Sequence, residues 1–381
     1  MLLYTLTQRT PLYWPYMFHF TTAVRGLPPS DFGVLKSIYY FAVMAIDVPF
    51  GVVADRLGRR VTLALGALGY SASCALYAGG RSFAAYAVAE LCAACGTALQ
   101  SGADSALLYD VFAADDRPHE FVRAKGVLES AGLAGATVAF PFAGLLVSRA
   151  GDPTATYVAT ALIALVGVAV ALLLSEPPRR AELRLRAHVG AAIADLWRTQ
   201  GLGATLAFSA LVFLGLRAAN ALVWNPVLAA AGIPLGSYGA LTAAFTLVGA
   251  YAARRAAAWQ QRLGARPLTL LAAGSVSAMY LLLPLASGPA SAALLMSHGL
   301  ALGVLPVVVV DLLNKRIDSS ERRATLLSFE SFVQRGVYGA VVIAATAALE
   351  RRSLSTVLLG FAATSAAAVA LVPRITRGLP R

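Results

Sequence analysis

The sequence predicts an all-α membrane protein in which twelve transmembrane helices form two pseudo-symmetric six-helix bundles. Three observations support this fold class: the composition, the number of long apolar segments and an internal repeat. Apolar residues make up 58% of the chain and charged residues 13%, whereas soluble domains have about 45–50% and about 25%. The mean hydropathy is +0.70. A soluble core in a chain of this length would not absorb so much apolar surface.

The apolar segments are the second observation, and there are six in each half of the chain. Each approaches the ~20 residues that a helix needs to cross about 30 Å of hydrocarbon. The segments are continuous and not alternating, so helices are expected in place of barrel strands. The predicted segments are roughly 2–24, 32–53, 61–79, 84–109, 122–148, 154–174, 204–226, 237–258, 267–286, 290–313, 324–348 and 354–373.

The internal repeat is the third observation, and it relates the two halves in parallel. Residues 26–35 align with 232–241 at an offset of 206 (232 minus 26), and farther along the offset is 201, as between Asp110 and Asp311. The predicted organisation follows from this repeat. It comprises an N-terminal bundle (1–174), a cytoplasmic linker (175–203), a C-terminal bundle (204–373) and a cytoplasmic tail (374–381).

The linker begins with the letters S-E-P-P-R-R, and its prolines stop a helix. In the following residues apolar side chains such as Leu183, Val189 and Trp197 lie among charged ones such as Arg184 and Arg186, which is typical of an interfacial helix on anionic lipid. A plain solvated tether is the alternative. In either case the linker is too short for an enzymatic domain.

The basic residues predict the topology. Six loops that share one side of the membrane carry 22 of the 31 Lys and Arg residues, and the opposite loops carry five. The positive-inside rule then places both termini in the cytoplasm, and we expect a bacterial cytoplasmic (inner) membrane. The net charge of +12 is spread over short loops, which argues against nucleic-acid binding.

Residues 51–60 read G-V-V-A-D-R-L-G-R-R between two apolar segments. This loop resembles the pattern G-x-x-x-D-R-x-G-R-[RK] of the major facilitator superfamily, and the resemblance implies that family's fold. In the family the loop latches the two halves, and an acid at the end of helix four receives a loop arginine. The resemblance makes Asp110 that acid and Arg59 its donor. The implied gate residues are Gly51, Asp55, Arg56, Gly58, Arg59, Arg60 and Asp110.

Polar side chains within the segments are expected to be functional, because each charge in a membrane is costly unless it faces a cavity or a partner. By the same resemblance, helices one, four, seven and ten line a central cavity. Aromatic walls with charges of both signs suit an amphiphilic organic solute. The alternative is that Arg9 and Asp104 neutralise each other and that the aromatic residues only pack. The predicted cavity residues are Arg9, Tyr13, Tyr16, Glu90, Asp104, Arg217, Asn220, Trp224 and His298.

The predicted function is secondary active transport of a small organic solute by alternating access, with protons as the driving ion. Asp104 is the first candidate for proton coupling and Glu90 the second. Efflux is the favoured direction, although α-helix five keeps only Pro141 and Gly144 of the pattern found in drug antiporters. Proton-coupled or facilitated uptake is the alternative, followed by a non-transporting membrane sensor. No enzymatic activity, cofactor or metal is predicted. The expected partners are the solute, protons and anionic lipids, and the expected state is a monomer.

Overall fold

The computed structural model describes residues 1–101, 103–115, 117–176, 201–316 and 320–377, and within these ranges there is no β-strand. The described chain forms twelve helical segments, which we number α1 to α12. In order they are α1 (Leu2–Gln8, Trp14–Tyr16, Met17–His19 and Phe20–Val24), α2 (Pro29–Leu57), α3 (Arg59–Gly79), α4 (Phe83–Gln100 and Ala103–Ala114), α5 (Phe121–Ala150), α6 (Thr154–Leu172), α7 (Leu202–Ala218, Ala219–Val223 and Trp224–Ala230), α8 (Tyr238–Leu263), α9 (Ala265–Leu282), α10 (Pro289–Asn314), α11 (Ser320–Arg351) and α12 (Leu354–Ile375). The predicted fold class is confirmed.

Nine helices among the described residues are long and apolar enough to cross a membrane. The exceptions are α1, α2 and α8. α1 is broken into short pieces because Pro11 and Pro15 interrupt its backbone hydrogen bonds. α8 carries Arg254 and Arg255, which raises its polarity. The predicted interfacial helix of the linker lies outside the described residues.

The chain divides into two compact units. Unit 1 contains Met1–Ala181 together with Pro234–Ala243, and unit 2 contains Glu182–Ile233 and Ala244–Arg381. The first turn of α8 is therefore part of unit 1, although it follows α7 in sequence. In unit 1 we call the end that carries Gly58 the motif face, and the end that carries Gly151 the opposite face.

Glycine positions with positive φ repeat between the halves. Gly26 (φ 71°) and Gly232 (φ 70°) precede α2 and α8, and Gly58 (φ 102°) and Gly264 (φ 85°) precede α3 and α9. Each pair is separated by the 206 residues of the sequence repeat. Side chains with a Cβ rarely adopt this backbone conformation, so the same local turn is built twice.

Helix packing in both units depends on small residues. In unit 1 a Cβ added to Gly96 of α4 would lie 2.8 Å from the carbonyl oxygen of Gly66 in α3. In unit 2 a Cβ added to Gly299 of α10 would lie 2.8 Å from the carbonyl oxygen of Phe245 in α8. Such close approach of backbones is the usual basis of helix association in membranes, where the lipid offers no hydrophobic driving force.

Candidate functional site

The motif loop joins α2 to α3 on the motif face. Gly58 is the N-cap of α3, and glycine has no side chain that could supply a capping oxygen. The Nε atom of Arg59 lies 3.4 Å from Oδ2 of Asp110 at the end of α4, and both side chains are partly exposed. Arg56 is exposed, whereas the side chains of residues 51–55, Asp55 among them, lie outside the described residues.

A residue distant in sequence supplies the capping hydrogen bonds at the N-terminus of α3. The carboxylate of Glu176, which follows α6, accepts hydrogen bonds from the backbone N–H of Arg59 (2.8 Å) and of Arg60 (3.2 Å). A carboxylate at a helix N-terminus satisfies free donors and stabilises the helix dipole. Sequence reasoning missed Glu176; the available signal was a lone acid before the S-E-P-P prolines.

Four charged side chains form a partly exposed network in unit 1. Two guanidinium N–H groups of Arg9 donate to Glu129 of α5, at 2.9 and 3.1 Å. Nζ of Lys125 lies 2.9 Å from Asp104 of α4 and 3.3 Å from Glu129. The Arg9–Asp104 pair considered from the sequence is thus replaced by two other pairs. The reason is geometric. Lys125 and Glu129 lie one helical turn apart on α5, so Lys125 pairs with Asp104 and Glu129 pairs with Arg9.

A further ion pair in unit 1 is buried. Nζ of Lys36 in α2 lies 2.5 Å from Oε1 of Glu90 in α4, and the two side chains are 10% and 3% exposed. The hydroxyl of Tyr77 in α3 also donates to Oε1 of Glu90, and Sδ of Met17 lies 3.1 Å from Nζ. Charges at this depth in a membrane protein persist only when they are paired.

Aromatic rings enclose this buried pair. Nζ of Lys36 lies 5.4 Å from the ring centre of Phe32 and 5.8 Å from that of Tyr77, which adds cation–π attraction. Tyr13 stacks on Tyr157 of α6 at 4.6 Å, and Tyr157 stacks on Tyr77 at 5.2 Å. Tyr13 therefore belongs to the shell of the buried pair. Sequence reasoning named Glu90 but missed Lys36; the signal was a single lysine inside a membrane-length apolar segment.

Tyr16 has a different environment. Its side chain is fully buried, and its hydroxyl accepts a hydrogen bond of 3.0 Å from the backbone N–H of Gly239 in the first turn of α8. Its ring stacks on that of Tyr238 with an interplanar angle of 1°. Cβ atoms added to Gly144, Gly236 or Gly239 would collide with backbone or side-chain atoms across this contact. Tyr16 thus fastens the first turn of α8 to α1 on the opposite face, where the glycines let α8 approach α5 closely.

The predicted residues of unit 2 lie in two environments. Trp224 (4% exposed) and His298 (1%) are buried, and both rings pack on Phe245 of α8, at 5.4 and 5.7 Å. Arg217 is exposed, with its guanidinium 5.4 Å from the ring centre of Phe213. Asn220 is partly buried and lies in the π-helical piece of α7, a feature often found at functional sites.

The comparisons with known proteins agree with this architecture. The family model of the Major Facilitator Superfamily matches residues 10–341. The nucleoside transporter NupG is similar in structure with a TM-score of 0.83 at 13% identity, covering 99% of this chain and 98% of its own. A D-xylose-proton symporter gives a TM-score of 0.73 at 13% identity, with 100% and 97% coverage. A bacterial homologue of the human lysosomal transporter Spinster gives 0.72 at 14%, with 99% and 95%. Among curated proteins, none matches the chain in sequence.

The apolar helices and the family match define an integral membrane transporter built from helices. The chain belongs to the Major Facilitator Superfamily. The low identity to the solved structures means that they show the fold alone.

Proposed function

We propose that this protein is a proton-coupled secondary transporter of a small organic solute, and that Glu90 and Lys36 are its coupling pair. The observation that carries the proposal is the burial of this pair, with 2.5 Å between Nζ and Oε1. Asp104, the first candidate from the sequence, is less suited to the role. Both side chains of its salt bridge to Lys125 are more than a quarter exposed, so water already solvates the carboxylate of Asp104.

The buried pair has the properties of a proton switch. A proton that enters Glu90 neutralises the carboxylate and leaves the ammonium of Lys36 without its partner. A lone charge in a low-dielectric core is strongly unfavourable, so protonation must be accompanied by rearrangement of α2 against α4. A free-energy difference of a few kcal/mol between two conformations is enough to shift their populations.

For the direction of transport we propose uptake by symport. Two observations support it: the D-xylose-proton symporter among the similar structures, and the incomplete antiporter pattern around Pro141 and Gly144 of α5. Uptake then replaces efflux as the favoured direction. We keep the topology deduced from the basic loops, with both termini in the cytoplasm of a bacterium.

The experiment is flux into proteoliposomes containing the full-length protein, with and without an inward proton gradient. Radiolabelled D-xylose and uridine are the probes, because they represent the solutes named for the two similar transporters. We expect Glu90→Gln to abolish gradient-driven accumulation and to retain exchange of the same probe. Asp104→Asn is the matched control, with accumulation kept.

Three outcomes would contradict the proposal. Accumulation by Glu90→Gln that still follows the gradient removes Glu90 from coupling. Loss of coupling in Asp104→Asn alone returns that role to Asp104. Release of preloaded probe driven by an opposite gradient, without uptake, identifies an exporter.

A further inference from the structure

The three rings of Trp224, Phe245 and His298 form a layer in unit 2 that the coupling mechanism does not use. We call them the aromatic layer. Phe245 lies parallel to the imidazole of His298, with an interplanar angle of 5°, and is tilted by 54° against the indole of Trp224. The layer joins α7, α8 and α10. His298 lies about 13 Å along α10 from Pro289, at a rise of 1.5 Å per residue.

Two polar atoms of this layer are buried without a hydrogen-bond partner among the described residues. They are Nε1 of Trp224 and Nδ1 of His298. Nε2 of His298 lies 3.3 Å from the carbonyl oxygen of Leu216. Because a carbonyl only accepts, Nε2 carries the proton and Nδ1 of the neutral ring is an acceptor. The layer therefore holds one unused donor and one unused acceptor, and buried polar groups of this kind are uncommon and call for a reason.

The internal repeat shows that the layer is specific to the second half. Phe245 follows Tyr39 by 206 residues (245 minus 39), and His298 follows Thr97 by 201 (298 minus 97). In unit 1 the hydroxyls of Tyr39 and Thr97 are 3.0 Å apart and satisfy each other. In unit 2 the same two positions carry a stacked ring pair, and the hydrogen-bonding atom of His298 is left over.

The buried positive charge of unit 1 has no counterpart at the matching position of unit 2. The buried Lys36 of unit 1 corresponds to Thr242 in the repeat (242 minus 36 is 206). Among the described residues, the hydrogen bond and the ring contacts of the aromatic layer involve no charged side chain. A neutral ligand is favoured here, because an ion would enter a buried site without a countercharge.

We propose that the aromatic layer binds the solute, and that the solute is a neutral molecule with a planar ring and hydroxyl groups. This inference rests on the transport function proposed above. Hydroxyl groups of such a solute can accept from Nε1–H of Trp224 and donate to Nδ1 of His298, which are the two atoms without a partner. The flat ring packs on the aromatic side chains. The polar atoms become accessible by a shift of Trp224 next to the π-helical piece Ala219–Val223, where the regular hydrogen bonds of α7 are already interrupted.

The test is equilibrium binding to the full-length protein in nanodiscs, without any proton gradient. The neutral probes are uridine and 2′,3′-dideoxyuridine, and the charged ring probes are benzoate and benzyltrimethylammonium. We expect uridine to bind at least tenfold more tightly than the other three. Trp224→Phe keeps a ring but removes the donor, and it should erase the preference for uridine over its dideoxy analogue. The control is Trp259→Phe. Trp259 packs on Tyr251 of α8, so this substitution should keep the preference for uridine.

Each alternative result overturns the inference. Preferred binding of either charged probe, or absence of uridine binding, excludes the proposed ligand class. An equal loss of both neutral probes in Trp224→Phe assigns that indole to packing only. The binding assay needs no gradient, so a failure of coupling at Glu90 and a failure of this site are observed separately.

Discussion

The carboxylate of Glu176 accepts a hydrogen bond of 2.8 Å from the backbone N–H of Arg59. This contact joins the end of α6 to the start of α3, and Arg59 in turn faces Asp110 across 3.4 Å. The position of the motif arginine is therefore set by two acids from different parts of the chain, one after α6 and one in α4. One acts on its backbone and the other on its side chain.

Replacing Glu176 by Ala should destabilise the protein by about 0.5–2 kcal/mol, the usual range for a lost N-cap. Gly58 has no side chain that could take over the cap. Thermal unfolding in nanodiscs measures the effect. Glu120→Ala is the control, because the pair that Glu120 forms with Arg117 is exposed and Glu120 makes no capping hydrogen bond to α5. Equal melting of Glu176→Ala and the wild type would disprove the capping role.

The charge of Asp110 should matter more for transport than for stability. We expect Asp110→Asn to reduce flux strongly while the free energy of unfolding changes by less than about 1 kcal/mol, as for other exposed pairs. Asp311→Asn is the matched control, because Asp311 is the repeat partner of Asp110 and contacts Gln260 and Lys315. The same flux in both variants would argue against a latch in the first half. Asp55→Asn is expected to resemble Asp110→Asn.

The buried ion pair gives a prediction about stability. Lys36→Met should cost about 3–5 kcal/mol, because it leaves the buried carboxylate of Glu90 without its countercharge. The double variant Lys36→Met with Glu90→Gln should recover most of this loss, since it removes both charges. Lys125→Met in the partly exposed network serves as a control with a smaller cost. A double variant no more stable than Lys36→Met would contradict a direct interaction.

The contact on the opposite face of unit 1 depends on glycine. A Cβ at Gly239 would meet the carbonyl oxygen of Phe140 and the backbone nitrogen of Gly144. Both are backbone atoms and neither moves easily, so Gly239→Ala should destabilise by about 1–3 kcal/mol. Gly274→Ala in α9 has open space around it and should be neutral or stabilising by up to about 1 kcal/mol. The two variants are compared by thermal unfolding, and changes of the same sign and size would refute the close-contact argument.

The sequence alone determined the membrane class, the number of helices and the repeat. Hydrocarbon excludes unsatisfied backbone groups, so long apolar segments can only be helices, and their lengths follow from the thickness of the bilayer. Gly58 and Gly264 fit this local logic, because both adopt a positive φ that glycine tolerates without a steric penalty.

The tertiary structure decided which side chains meet. Glu129 and Glu330 match in the repeat, yet Glu129 is partly exposed and pairs with Arg9, whereas Glu330 is buried and accepts from Ser209 and Gln334. The partner of an ionised group is selected by a few ångströms of reach, which depend on how each helix is rotated and shifted. The rotation and shift of each helix cannot be deduced from the sequence. For this reason Lys36, Glu176 and the partner of Asp104 were found only in the tertiary structure.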